Sequence, residues 1–145
     1  MEEVTGDIWK VEGDWIVIPT NGFVKTNGEC VMGRGLAYQA KSKFTQLPLE
    51  LGSHIKMMGN KVGVFSQYRL LSFPVKHNWW EQADLSLIEE SCSYLAWTAC
   101  FLRASVVLVP RVGCGNGQLD WKDVRPVLNK YLGPSFVLVT HPGDE

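Results

Sequence analysis

A three-layer α/β/α domain around a mixed sheet is predicted by three features of this 145-residue chain. Short apolar runs, Trp15 to Ile18 and Val106 to Val109, read as buried strands that end abruptly in loops. In the later half, strand-like and helix-like segments alternate, as layered strand–helix–strand units require. Only Ser66-Gln67-Tyr68 separates two further strand candidates, Lys61 to Phe65 and Arg69 to Val75. A turn that short makes a hairpin, so the sheet is mixed, not purely parallel.

The elements follow in order. Gly6-Asp7-Ile8 lies in an early segment, Thr5 to Lys10. The strand from Trp15 is expected to end at Ile18, because Pro19-Thr20-Asn21-Gly22 are turn and loop formers. The loop from Asn21 to Met32 is long for a compact domain, and such loops often carry function. Met32-Gly33-Arg34-Gly35 then leads into a helix with Leu36, Ala40 and Phe44 on one face, and Pro48 either breaks that helix or starts another. After the hairpin, Pro74 to Trp80 is a loop. Asp84 to Arg103 is a long helix with Asp84 as N-cap and a stripe of Leu85, Ile88, Cys92, Leu95 and Ala99. Ser105 to Val109 is a strand, Asp120 to Tyr131 a helix capped by Asp120 and stopped by Gly133-Pro134, and Ser135 to Thr140 a last strand. No linker, repeat or low-complexity tract divides the chain, so residues 1–145 are read as one domain.

Composition excludes several classes. Hydrophobic residues make up 46% and charged residues 20%, which suits a packed core and not a disordered chain. A net charge of −1 argues against a protein that coats nucleic acid non-specifically. It leaves open a nucleic acid recognised through a modification. Cys30, Cys92, Cys100 and Cys114 form no CxxC pair, and with three scattered histidines they give no metal-ligand cluster. They are expected to be reduced and mostly buried, as in a cytosol. No apolar run is long enough to span a bilayer, and the N-terminus is acidic, unlike the start of a signal peptide.

Two glycine loops carry the functional signal. Gly113-Cys114-Gly115-Asn116-Gly117 follows a buried strand and precedes a helix, and Gly33-Arg34-Gly35 does the same earlier. Glycines let a backbone approach an anion, and free N–H groups at the loop and helix start point at it. In such sheets ligands lie beyond the carboxyl ends of the central strands, so the two loops are expected to flank one crevice and grip a diphosphate.

In this order the residues resemble a macrodomain, the ADP-ribose-binding α/β/α module. Gly6-Asp7-Ile8 resembles the family's opening GDI, Pro19-Thr20-Asn21-Gly22 its asparagine loop, Met32-Gly33-Arg34-Gly35-Leu36-Ala37 its MGxGIA, and Pro110-Arg111-Val112-Gly113-Cys114-Gly115 its phosphate loop. Each motif alone is weak, but four in order across almost the whole chain are specific. Gly113 to Trp121, GCGNGQLDW, is similar to the branch of the antitoxin that removes ADP-ribose from DNA, and Phe73 to Trp79 to that branch's LPTKxxW. Threonine of that motif is Val75 here, and the residue after the lysine is His77. The related terminal ADP-ribose glycohydrolase branch has a catalytic aspartate two residues past GCG. This chain has Gly117 there, and Asp120 does not take that role.

The resemblance implies a site. Asp7 would accept from the adenine amino group, with Ile8 beside it. Thr20 and Asn21 would contact ADP-ribose, Asn21 holding the hydroxyls of the distal ribose. Met32, Gly33, Arg34, Gly35 and Leu36 would form one side of the diphosphate clamp. Val112, Gly113, Cys114, Gly115, Asn116, Gly117, Gln118 and Leu119 would form the other, with His141 near the adenine. Lys76 would be catalytic, as a neutral amine attacking the anomeric carbon of the distal ribose. That role needs burial or a cationic neighbour to disfavour its charged form.

Other readings stand beside these. Arg34 is either a phosphate contact or a solvated cation, and Trp79-Trp80 either stack on a nucleobase or belong to the core. His141 is either near adenine or a turn residue, and Cys114 is a small packed loop residue, not a nucleophile. The implied function is hydrolysis of the link between ADP-ribose and a DNA base. The alternatives are an ADP-ribosyl protein glycohydrolase, a processor of ADP-ribose 1″-phosphate, and a non-catalytic reader. Expected partners are ADP-ribose and ADP-ribosylated DNA or protein, with no cofactor, no metal and no membrane. The chain is expected to act as a monomer in a bacterial or phage cytosol.

Overall fold

The computed structural model describes residues 1–144. Among the described residues six strands and four helices follow one another: β1 Glu2–Thr5, β2 Trp15–Asn21, α1 Gly35–Lys43, α2 Leu47–Met58, β3 Gly63–Phe65, β4 Leu70–Lys76, α3 Leu85–Phe101, β5 Val107–Val109, α4 Trp121–Tyr131 and β6 Phe136–Thr140. The sheet runs β1-β6-β5-β2-β4-β3. All neighbours are parallel except β3 and β4, which form the expected hairpin.

Alternation along β2 builds both cores. Trp15 and Val17 pack with Ile88, Cys92, Leu95, Val124 and Leu128 beneath α3 and α4, while Ile18 packs with Ala40, Leu47 and Leu51 beneath α1 and α2. Successive strand residues face opposite sides, so a strand covered on both faces must be apolar throughout. β4 is likewise buried from Leu70 to Val75, and its one polar residue there, Ser72, accepts from the Gly63 N–H at 2.9 Å.

Several expectations change. β2 does not stop at Ile18 but runs through Pro19 to Asn21. Ile16 donates its N–H to the Arg69 carbonyl on the β4 side, so Pro19, of opposite parity, turns its nitrogen to the β5 side. Pairing with β5 has already ended at Ile16–Leu108, and the missing N–H leaves no ladder bond unmade. β1 was not foreseen, because Glu2-Glu3-Val4-Thr5 is largely exposed and has no apolar pattern. It exists through its register with Val137 to Thr140. Pro48 starts a helix, lying in the first turn of α2, where its absent N–H costs nothing. Leu85 is exposed, so the buried stripe of α3 begins with Leu87 and Ile88. Cys30 and Cys92 are buried, Cys114 is half-buried, and Cys100 is exposed.

β5 is shorter than expected, beginning at Val107, because the Asp14 carboxylate takes the N–H groups of Ser105 (2.7 Å) and Val106 (3.3 Å). Those bonds hold the Asp14 carboxyl below its usual range. The caps of α3 and α4 are as expected, with Asp84 accepting from Ser86 N–H and Asp120 from Lys122 N–H.

The long loop after β2 is seated on α2 by backbone contact. A Cβ on Gly52 would lie 1.8 Å from the Gly28 carbonyl oxygen and 3.2 Å from the Cys30 nitrogen. Neither is the tip of a flexible side chain. Gly52→Ala is therefore expected to cost about 2–4 kcal/mol, lowering the melting temperature by roughly 5–15 °C. A change within a degree in thermal denaturation would show that the loop is free to shift.

Candidate functional site

Five parallel strands direct their carboxyl ends to the same side of the sheet, and a crevice of about 1030 Å³ opens there. Its lining comes from the segments that leave β1, β2, β4, β5 and β6. The volume lies at the top of the range for small-molecule sites, roughly 300–1,000 Å³.

Most residues singled out from sequence meet in this crevice. Asp7, Ile8, Thr20, Asn21, Met32, Gly33, Arg34, Gly35, Leu36, Lys76, Gly113, Cys114, Gly115, Asn116, Gly117, Leu119 and His141 all line it. Val112 and Gln118 do not. Val112 is fully buried in the core under α3 and α4, anchoring the loop from below. Gln118 takes a left-handed backbone (φ 65°), and its carbonyl accepts from the Gln82 side chain at 3.4 Å, outside the lining.

The glycines of the second loop are not equivalent. Leu119 N–H donates to the Gly113 carbonyl at 2.9 Å and closes the loop on itself. A Cβ at Gly117 would lie 2.4 Å from that same carbonyl oxygen, so Gly117 is required by the closure. Gly113 has φ 75°, and a Cβ there would meet Ile88 at 2.7 Å. At Gly115 nothing lies within 4 Å, and this part of the backbone faces open crevice. The two loops also approach each other, since a Cβ on Gly35 would sit 3.3 Å from Asn116 Nδ2.

Lys76 ends β4, paired with Asn21 just after a register shift in β2. Its Nζ donates to the carbonyls of Trp79 (3.3 Å) and Asn116 (3.2 Å). Burial, and then the neighbouring Arg34 guanidinium, lower its pKa from the usual lysine value. His77 turns away to bond the Asp84 carboxylate at 2.9 Å, which also caps α3. Asn60 donates to the Lys76 carbonyl at 3.0 Å, so the lysine backbone is fixed from a second element.

Other side chains are already engaged within the protein. Asn21 Nδ2 donates to the Val31 carbonyl and its Oδ1 accepts from Phe23 N–H, both at 2.9 Å, so this amide braces the long loop. Asp7 Oδ1 accepts from Trp9 N–H at 3.0 Å. Burial pushes the Cys114 thiol up to about 11, which keeps it protonated near neutral pH. Among the described residues no group of three or more metal-ligating side chains is assembled, and no helix is long and apolar enough to cross a membrane.

Sequence reasoning missed Arg111 and Phe23. Arg111 lines the crevice with its guanidinium 5.1 Å from the Trp121 ring centroid, its Nε donating to Thr140 Oγ1 and its NH1 to the Asp144 carbonyl. Its place between strand and glycine loop was the available signal. Phe23 lines the crevice from the long loop, where one aromatic among polar residues was the only hint.

This sheet order, with a crevice flanked by two glycine loops, is the macrodomain fold. No family model matches the chain. Solved structures similar to it are the macrodomain of Mycobacterium tuberculosis DarG, with TM-score 0.81 and 26% identity over 97% of this chain and 96% of that one, and Thermosipho africanus DarTG in complex with ADP-ribose, which shares the fold at TM-score 0.83 and 21% identity over 99% of this chain and 42% of that one. By sequence the chain is 29% identical to the DNA ADP-ribosyl glycohydrolase of Mycobacterium tuberculosis over 122 residues, 77% of this chain and 35% of that protein. It is 26% identical to the Thermus aquaticus protein of the same name over 132 residues, 84% of this chain and 37% of that protein. The chain thus spans little more than a third of the length of these relatives. Among macrodomains it is DarG-like.

Proposed function

We propose that the crevice binds ADP-ribose and that Lys76 drives hydrolysis of the bond joining it to a DNA base. Asp7 and Ile8 would face the adenine, with the diphosphate between Arg34-Gly35 and Gly115-Asn116 and the distal ribose at Lys76. The observation that carries the reading is how the Lys76 amine is held. A neutral amine has two N–H donors and one lone pair. Two carbonyls, of Trp79 and Asn116, stand ready for the donors, which leaves the lone pair for the crevice. Burial and Arg34 favour that neutral form.

Attack on the anomeric carbon after ring opening forms a C–N bond to Lys76 and breaks the glycosidic bond, the base leaving with a proton. Water then adds to the iminium and restores the amine, releasing ADP-ribose. Binding energy from the ADP portion would hold the ribose in place for both steps. With both ends of its amide engaged, Asn21 is better suited to shaping the long loop than to gripping hydroxyls. The name shared by the two relatives, DNA ADP-ribosyl glycohydrolase, favours DNA as the carrier, and Gly117 removes the acid on which the other branch relies.

The test offers ADP-ribosylated DNA oligonucleotide and ADP-ribosylated protein side by side. Release from DNA, with slower or no release from protein, is the expected result. Release from protein alone would transfer the activity to the protein class. Calorimetric binding of ADP-ribose without release from either would make the chain a reader.

A further inference from the structure

We propose that Phe23, Trp79 and Trp80 form a stacking platform for the base next to the modified one, so that Trp80 sets the preference for a nucleic-acid carrier. The proposal rests on the lysine reading above. The group bonded to the anomeric carbon must leave beside Lys76, whose Nζ is 3.3 Å from the Trp79 carbonyl. At that mouth stand two large exposed rings, Trp79 at 50% and Trp80 at 59%. They meet at 89° with centroids 5.5 Å apart, and Phe23 packs edge-on to Trp80 at 5.4 Å. Either side of a perpendicular pair is a right-angled corner, where a planar ring can lie on one face and present its edge to the other.

The platform is built, not incidental. Phe23 is held by its N–H to Asn21 Oδ1, and the Gly22 N–H donates to the His77 carbonyl at 3.2 Å, tying the loop after β2 to the loop after β4. Phe23 and Trp79 line the crevice, so the aromatic surface is continuous with it, whereas Trp80 lies outside the lining. Lys25, close in sequence on the same loop, also lines the crevice and supplies positive charge for a backbone phosphate. Its 3.5 Å pair with Glu29 is exposed and weak enough to exchange. Exposed aromatic faces beside a cation are how proteins hold nucleic-acid bases without reading sequence.

The experiment compares wild type, Trp80→Ala and Trp80→Phe on two substrates, an ADP-ribosylated nucleoside and a short single-stranded oligodeoxynucleotide carrying one central ADP-ribosylated base. Trp80→Ala is expected to lower kcat/KM on the oligonucleotide by roughly 5- to 100-fold, the span of one base–aromatic stack, mainly through KM. Turnover of the nucleoside and affinity for free ADP-ribose should be unchanged, and Trp80→Phe should recover most of the loss. Equal loss on both substrates, or none on either, would overturn the platform. So would an equal Trp80→Ala loss on an ADP-ribosylated peptide, which would make the surface a protein contact. If wild type turns over neither substrate, the lysine reading fails. The platform is then judged by binding of the unmodified oligonucleotide, where an unchanged affinity in Trp80→Ala rejects it.

Discussion

Lys76→Ala and Lys76→Arg are both expected to lose release of ADP-ribose by a factor on the order of 10⁴ or more, while affinity for free ADP-ribose stays within about threefold. The arginine variant separates two explanations. It keeps a positive charge at the end of β4 but cannot be deprotonated in a protein, so it supports electrostatic binding and not attack. Substantial activity in Lys76→Arg, measured in single turnover, would sink the amine mechanism. The pH dependence follows from the same chemistry. Burial and Arg34 place the Lys76 pKa below the usual lysine value, so at any given pH more of the amine is neutral than in a free lysine. Below that pKa the neutral fraction, and with it kcat, should climb about tenfold per pH unit. Arg34→Met removes the cationic contribution and should move the rise to higher pH at saturating substrate. A profile that stays where it was would assign the shift to burial alone.

The second large effect is expected at Gly117, where restoring the other branch's aspartate should damage the protein instead of adding an acid. Gly117→Asp puts its Cβ within 2.4 Å of the Gly113 oxygen and 2.7 Å of the Gly113 carbonyl carbon. The closure made by Leu119 N–H on Gly113 must then open. A loss of about 2–4 kcal/mol, a melting temperature lower by roughly 5–15 °C, and a drop of at least tenfold in ADP-ribose affinity are expected. Gly115→Ala is the control. Its Cβ meets nothing within 4 Å, so the melting temperature should hold within about a degree, and any loss of affinity then reports a ligand passing close to that backbone. A folded, tightly binding Gly117→Asp would show that the loop has a second conformation able to carry a side chain.

Much of this was legible before the structure because the signals were local. The apolar run at Trp15, the helix stripe from Ile88 to Ala99 and the caps Asp84 and Asp120 depend on neighbours within a few residues. The glycine loops were legible for the same reason. What stayed hidden depends on partners far along the chain. β1 is a strand only because β6 lies beside it, and Pro19 is tolerated in a strand only because β5 has already ended. Val112 and Gln118 sit among lining residues in sequence, yet core packing takes one and a left-handed turn carries off the other. Arg111 lines the crevice under the hold of Thr140, Asp144 and Trp121, and no short spacing encodes that trio.

The pairing of β1 with β6 also bears on synthesis. Gly6 N–H donates to the Thr140 carbonyl, so the segment carrying Asp7 is anchored in part by β6, which is synthesised after every other strand of this sheet. A nascent chain with β2 through β5 in place still lacks one wall of the crevice. Loop-closure entropy makes such end-to-end pairing late and slow. A ligand that needs the Asp7 wall would then bind tightly only once β6 has docked, and would stabilise that docked fold by mass action.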